Sequence, residues 1–532
     1  MNSKLKALIL ALLAVTDFSV ALAQAEPKVG EIIAQFPKDN DEQFRKYKVI
    51  TKLGNHMQLL GYKDGQKNDE GFTRGDNYFS TMHVLYDYDM TTKQCKTINF
   101  PIGFYNQNMT YIGKLKGPNN CIKYLFTLPP KEYYQRQIIA LEYDQTKGKF
   151  TKNEVLYKSA EGEKITWSLT STLRQRLYSF RFFINENAGN IVVFERLSAA
   201  QKDASNYSYI VKNYKGDTLS YSNELDTKLC RIKSAVVTAK GNVLIAYSEN
   251  NEDGGDRWIN VVHLIGTGDV KVLPATAHVK GSTPHLFIAG DNQVFVASLY
   301  AGNLNKYRGL YIAEISDSTG TIVREKRLDV KSQNITESSK GSGPYVFSAT
   351  QEENLEKAQS EFNTITAVKL AANGDVAILI EHCELRLPGG GSYYTVNGEK
   401  LYNQSRLIDP YYGPAMIHFI DCKNLEQKAF NQIIYNTNGS GFDNGQGIFF
   451  VPRNQDAIYC QADRHIYKHA LQNNTIGNPN HSYLTPISYQ MPILINKNNN
   501  DKRRRQVVLC DHTDQYLVTF NYDGITVQNL LD

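Results

Sequence analysis

Gly241-Asn242-Val243-Leu244-Ile245-Ala246-Tyr247 sets two turn formers directly before five consecutive apolar residues. Gly and Asn tolerate positive φ, which a tight reversal needs. The run after them does not alternate with polar residues, so it reads as a short strand buried on both faces. The same signature returns along the chain. Gly189-Asn190 precedes Ile191–Phe194, Asp291-Asn292 precedes Val294–Ala297, and Gly374-Asp375 precedes Val376–Ile380. Gln455-Asp456 precedes Ala457–Cys460, and Asp514-Gln515 precedes Tyr516–Phe520. Fainter copies stand at Asn55 before Met57–Leu60 and at Asn119-Asn120 before Cys121–Phe126.

Working outward, most copies are followed by a strand, a polar turn and another strand. Ile138–Tyr143 turns through Asp144–Gly148 to Phe150, and Leu310–Ile315 turns through Asp317–Gly320 to Ile322-Val323. Val261–Ile265 and Tyr209–Tyr214 begin similar hairpins, as do Val84–Tyr88 and Ile417–Ile420. A buried strand plus a hairpin, repeated, is the pattern of a propeller blade, which is stable only when its neighbours stack and the ring closes. The expected fold is all-β: a single β-propeller of about seven blades, with six to eight allowed. A pair of sandwiches or two smaller propellers are the alternatives. The last unit, near Arg505–Leu530, lacks room for a full hairpin, and Arg45–Lys52 is read as supplying its missing strand. Glu352–Phe362 reads as one short helix in a long connection.

The N-terminus reads as an address. Lys4 and Lys6 precede the apolar stretch Ala7–Val15, and Ala21-Leu22-Ala23 fits the small-x-small cleavage rule, leaving Gln24 first. The expected organisation is therefore a signal peptide at 1–23, a polar lead-in at 24–44, and the propeller at 45–532 with an insert at 383–414. No later stretch has 18 consecutive apolar residues, so no membrane span is expected. Of 532 residues 21% are charged, and the net charge of +5 is spread along the chain, which does not call for nucleic acid. The seven cysteines form no C-x-x-C pair, which argues against zinc ribbons. Cys383, Cys422, Cys460 and Cys510 lie in or beside apolar runs and read as small buried hydrophobes.

Three features together resemble uncharacterised exported proteins of Bacteroidota with propeller-like repeats. They are the signal ending Ala21-Leu22-Ala23-Gln24, the strand Gly374–Glu381 followed by Ser392-Tyr393-Tyr394, and the strand around Met416–Ile420. The resemblance implies location and fold only. The Gly389-Gly390-Gly391 run and longer polar stretch depart from the group's usual insert, and Ile525–Asp532 does not look like its cell-surface sorting domain. That favours the periplasm over the cell exterior.

The insert carries Tyr393, Tyr394, Tyr402, Tyr411 and Tyr412 with Arg406 and Asp409 among them. Aromatic faces stack on a sugar, peptide or other apolar ligand, while Arg and Asp fix polar groups. The six candidate ligand-binding residues are Tyr393, Tyr394, Tyr402, Arg406, Tyr411 and Tyr412, and the expected function is an exported binding or scaffold module for a protein, peptide or glycan. The rival is a glycan-acting hydrolase with Glu195, Glu249 and Glu381 at strand exits. Their offsets from the preceding turn residue are five, seven and six, and a one-residue change flips a side chain to the other sheet face, so separate solvated strand ends are the competing reading. No catalytic residue, metal or cofactor is assigned. His465 and His469 would share a helix face, but in a strand they stand roughly 13 Å apart. Asn250–Asp256 lacks the EF-hand spacing, Lys502–Arg505 reads as a solvated run, and no nucleophile elbow, P-loop or dinucleotide fingerprint occurs.

Overall fold

The computed structural model describes residues 32–529, apart from the connections 38–43, 65–80, 101–109, 129–136, 159–179, 197–206, 226–231, 251–257, 274–283, 302–306, 330–362, 387–392, 403–408, 439–447 and 481–507 and turns of six residues or fewer. The expected signal peptide at 1–23 and helix at Glu352–Phe362 lie outside the described residues.

Every described element is a strand, and strands pair antiparallel with their chain neighbours in units of four. The fold is an all-β propeller. Blades 1 to 5 span 44–98, 110–158, 180–225, 234–272 and 285–329. Blade 6 uses Asn363–Leu370, Val376–Arg386, Asp409–Asp421 and Glu426–Ile433. Blade 7 (448–480) joins it through one parallel bridge, Phe430 to Thr475. Blade 8 consists of Val508–His512, Tyr516–Asn521 and Gly524–Asn529, completed by Ile32–Pro37 on the outer edge. First strands of consecutive blades touch from blade 2 to blade 6, and that of blade 8 touches that of blade 1. The first strands therefore line the ring's axis.

Both-face burial explains the dense apolar runs. In blade 4, Val243 and Ile245 pack with Val192, Phe194 and Val211 of blade 3. Their neighbours Leu244 and Ala246 point the other way, to Val294 and Val296 of blade 5. Equivalent clusters join blades 1 and 2, 2 and 3, and 5 and 6. Each fully buried Val, Leu or Ile contributes roughly 1.5–3 kcal/mol over an exposed one, so neither face of such a strand is stable without a partner sheet.

The described strands form eight four-stranded units, the upper end of the six-to-eight expectation and one more than seven. Each of the eight turn-plus-run copies opens the second strand of a blade. One expectation is corrected. Residues 45–52 lie in Phe44–Leu53, the first strand of blade 1, paired with His56–Asp64. The strand that completes the last blade is Ile32–Pro37, antiparallel to Gly524–Asn529.

Candidate functional site

Up-and-down pairing sorts the connections between two rims. Turns from first to second strand and from third to fourth fall on one rim. Links from second to third strand, and from fourth to the next blade, fall on the other. The first rim is tight: none of its links is longer than 316–321 or 451–456. The second carries every long connection, including 65–80, 159–179, 330–362, 387–408 and 481–507.

The tight rim is closed by contacts between blades. Asn190 Nδ2 donates to the carbonyls of Thr238 (2.9 Å) and Ala239 (3.3 Å), and Asn242 Nδ2 to that of Asp317 (3.0 Å). Arg324 donates to the carbonyls of Lys423 and Cys422 and pairs with Glu314, joining blades 5 and 6. Between blades 2 and 3 the ammonium of Lys123, a fully buried side chain, meets Glu154, the carbonyl of Tyr214 and the face of its ring. Between blades 1 and 2, Tyr124 donates to Gln58; within blade 1, His56 Nδ1 lies 3.2 Å from Asp87, whose carboxyl burial pushes up in pKa. Burial also raises the thiols of Cys95 to about 11 and Cys422 to about 12, so both stay protonated and unreactive. Cys422 is a buried free thiol, as its apolar setting suggests.

The long-connection rim carries the tyrosine-rich insert. Its most elaborated part is the link between the second and third strands of blade 6. Those strands, Val376–Arg386 and Asp409–Asp421, are longer than their counterparts and stay paired to Arg386 and Asp409. Beyond their end stands a separate two-stranded ribbon, Tyr393–Val396 with Glu399–Tyr402, joined through Asn397-Gly398. Its register sets Tyr393 opposite Tyr402 and Tyr394 opposite Leu401. Tyr411 and Tyr412 lie in the stem, paired with Glu384 and Cys383 on one side and Asn438 and Thr437 on the other. Strand pairing thus brings Tyr393 and Tyr402 together in the ribbon, while Tyr411 and Tyr412 belong to the stem. Arg406 lies outside the described residues.

Sequence reasoning missed the ribbon, although Asn-Gly between two β-prone segments is a strong hairpin signal. It also missed Tyr157, near the end of blade 2's last strand, which donates to Glu195 Oε2 at 2.5 Å across the crevice to blade 3. Glu195, Glu249 and Glu381 all lie in second strands running toward this rim, so their exits share one face of the ring. Deeper in the crevices, Asn260 Nδ2 donates to Ser298 Oγ at 2.6 Å and Arg181 to the carbonyl of Ile232. His285 opens the first strand of blade 5, and burial pulls its pKa down to about 4.

His465 and His469 stand on one strand, His465–Gln472. Among the described residues no group of three or more His, Cys, Asp or Glu is placed to hold a metal. Residues 251–257 and Lys502–Arg505 lie outside the described residues. No described helix is long and apolar enough to cross a membrane.

No family model matches the chain, and no curated protein matches it. Among solved structures it is similar to the Dos1 propeller (TM-score 0.38, 7% identity, covering 94% of this chain and 95% of that one). It is similar to the polysaccharide lyase Uly1 (TM-score 0.33, 11% identity, 92% and 100%). It is also similar to the β-propeller domain of the Trilobed protease from Pyrococcus furiosus (TM-score 0.34, 6% identity, 76% and 98%). At these scores the likenesses carry no argument about activity, and the fold rests on the strand pairing itself.

Proposed function

We propose that the protein is an exported binding module that holds a protein, peptide or glycan on the long-connection rim of its ring, with the Tyr393–Tyr412 insert as the principal contact. The observation that carries this reading is the division of the connections: one rim is reduced to tight turns while the other bears every extended link. Binding residues concentrate on loops held by a rigid scaffold. The sequence of that rim supports the reading. Two further connections contain adjacent aromatics, Phe104-Tyr105 and Tyr133-Tyr134, beside Tyr393-Tyr394 and Tyr411-Tyr412 of the insert. Such side chains present large apolar faces with a polar tip. Export, to the periplasm or beyond it, rests on the N-terminal pattern Lys4–Ala23.

The test is affinity capture from a native cell envelope, with mass spectrometry and glycan profiling of what elutes. Alanine at Tyr393, Tyr394 and Tyr411 together is expected to abolish capture and leave the melting temperature unchanged. A variant that unfolds would show these tyrosines to be packing residues. A folded variant that still captures the same ligand would move the site elsewhere.

A further inference from the structure

The crevice between blades 2 and 3 changes character from floor to mouth. Its floor is packed shut by Leu125, Ile138 and Val193, all fully buried. Its mouth, toward the long-connection rim, is polar and partly open. There Tyr157, in the outer strand Lys149–Lys158 of blade 2, donates to Glu195 Oε2 at 2.5 Å, and both side chains are partly exposed. The outer strand of blade 3, Thr218–Leu225, forms the second lip. In it Tyr221 stands opposite Ile210. Directly opposed residues share a face of the sheet, and Ile210 packs into the cluster between blades 2 and 3, so Tyr221 faces blade 2. It is 68% exposed, more than any other large hydrophobic side chain among the described residues. Val193 is the residue opposite Ile210 in the second strand, and Glu195 follows it by two, on the same face. The carboxylate therefore stands one step nearer the rim than Tyr221. Two strand spacings, about 10 Å, separate their strands.

We propose that this mouth is an oligosaccharide-binding subsite. Tyr221 takes the apolar face of one sugar ring, and the Glu195 carboxylate, steadied by the Tyr157 hydroxyl, accepts hydrogen bonds from the hydroxyls of another. The chemistry selects that class of ligand. A peptide is anchored by a side chain that fills a pocket, and the packed floor offers none. An exposed aromatic face beside a hydrogen-bond acceptor instead matches a sugar, which presents C–H faces and hydroxyl edges together. The separation of about 10 Å asks for more than one ring. The subsite belongs to blades 2 and 3, so it does not rest on the reading of the insert in blade 6.

The test is direct calorimetric titration of the full chain with purified neutral hexasaccharides: α- and β-linked glucose, β-linked xylose and β-linked mannose. At least one is expected to bind, and its monosaccharide is not. Tyr221→Ala and Glu195→Gln are each expected to weaken that binding at least about tenfold, and Tyr221→Ala to leave the melting temperature unchanged. Tyr157→Phe removes the same internal hydrogen bond as Glu195→Gln but keeps the carboxylate. A smaller loss of binding in Tyr157→Phe than in Glu195→Gln therefore separates recognition by the carboxylate from loss of local structure. Val323→Ala, at a comparably exposed position on blade 5, is expected to bind as the parent does. So is the variant with alanine at Tyr393, Tyr394 and Tyr411, whose failure in envelope capture bears on the insert alone. The proposal is overturned if no hexasaccharide binds, if Tyr221→Ala binds as the parent does, or if equal losses follow Tyr157→Phe and Glu195→Gln. Tyr221-dependent capture from a random peptide library, with no glycan bound, overturns it in favour of a peptide.

Discussion

His418 shows how one residue's setting decides its chemistry. It lies fully buried in Asp409–Asp421, with Nδ1 donating to Gln427 Oε1 at 2.8 Å and its ring 4.6 Å from that of Phe430. Burial holds its pKa down to about 4, against an ordinary 6.5. The fold keeps the imidazole neutral, while the unfolded chain takes up a proton near pH 6.5. The contribution is therefore complete above pH 6.5 and is lost as pH falls from 6.5 through 4. The span is worth about 3 kcal/mol. His285 is shifted in the same direction. Thermal melts are expected to show a steep fall over that window, shallower in His418→Gln. Wild type and variant falling in parallel would remove His418 from the account. Nothing in Ile417-His418-Phe419 reveals this in advance, because which neighbour a strand residue meets depends on the register between sheets and not on local sequence.

At the scale of elements, the turn residues have two roles. Asn190 and Asn242 read in the sequence as turn formers, and they do stand at reversals. Their side chains also donate to the carbonyls of the next blade. Asn190→Ala removes side-chain hydrogen bonds to the Thr238 and Ala239 carbonyls, the former still accepting from the Gly241 N–H, so a loss of about 0.5–1.5 kcal/mol is expected. Arg308→Ala, which removes an exposed pair with Asp329 at 3.5 Å, is expected to change stability by less than about 0.5 kcal/mol. Chemical denaturation of the two variants checks both figures, and equal losses would contradict the role given to Asn190. The eight second strands were legible because burial on both faces demands unbroken apolar runs. The first strands were not: Ser234–Val237 has four residues, too few to show any period. The closing strand was misplaced for a different reason, since pairing between the two ends of a chain leaves no trace in local pattern.

At the scale of the molecule, the ring separates its tight links from its long ones. Contacts between blades fill the interfaces and the tight rim, so the opposite rim is free to vary in length and composition. The unusual tyrosine content of 383–414 was readable, and so was its place between two strands of one unit. Its shape as a paired stem bearing a separate ribbon was not, because a long connection has no fixed period to follow. The partition of links between the rims emerges only once strand order is known. That order has a topological corollary. Ile32 pairs with Gln528, so the two ends of the propeller are adjacent partners in one antiparallel pair. A short turn from Asn529 to Ile32 would make an ordinary hairpin of them. The polypeptide could then be cut open in 302–306 to begin and finish elsewhere. Such a circular permutant is expected to refold to the parent's circular-dichroism spectrum, the seam between chain ends having moved to the pair Gln293–Ala301 and Tyr307–Ile315. A permutant that collapses or aggregates would mean that the order of synthesis, and not geometry alone, is what lets this ring shut.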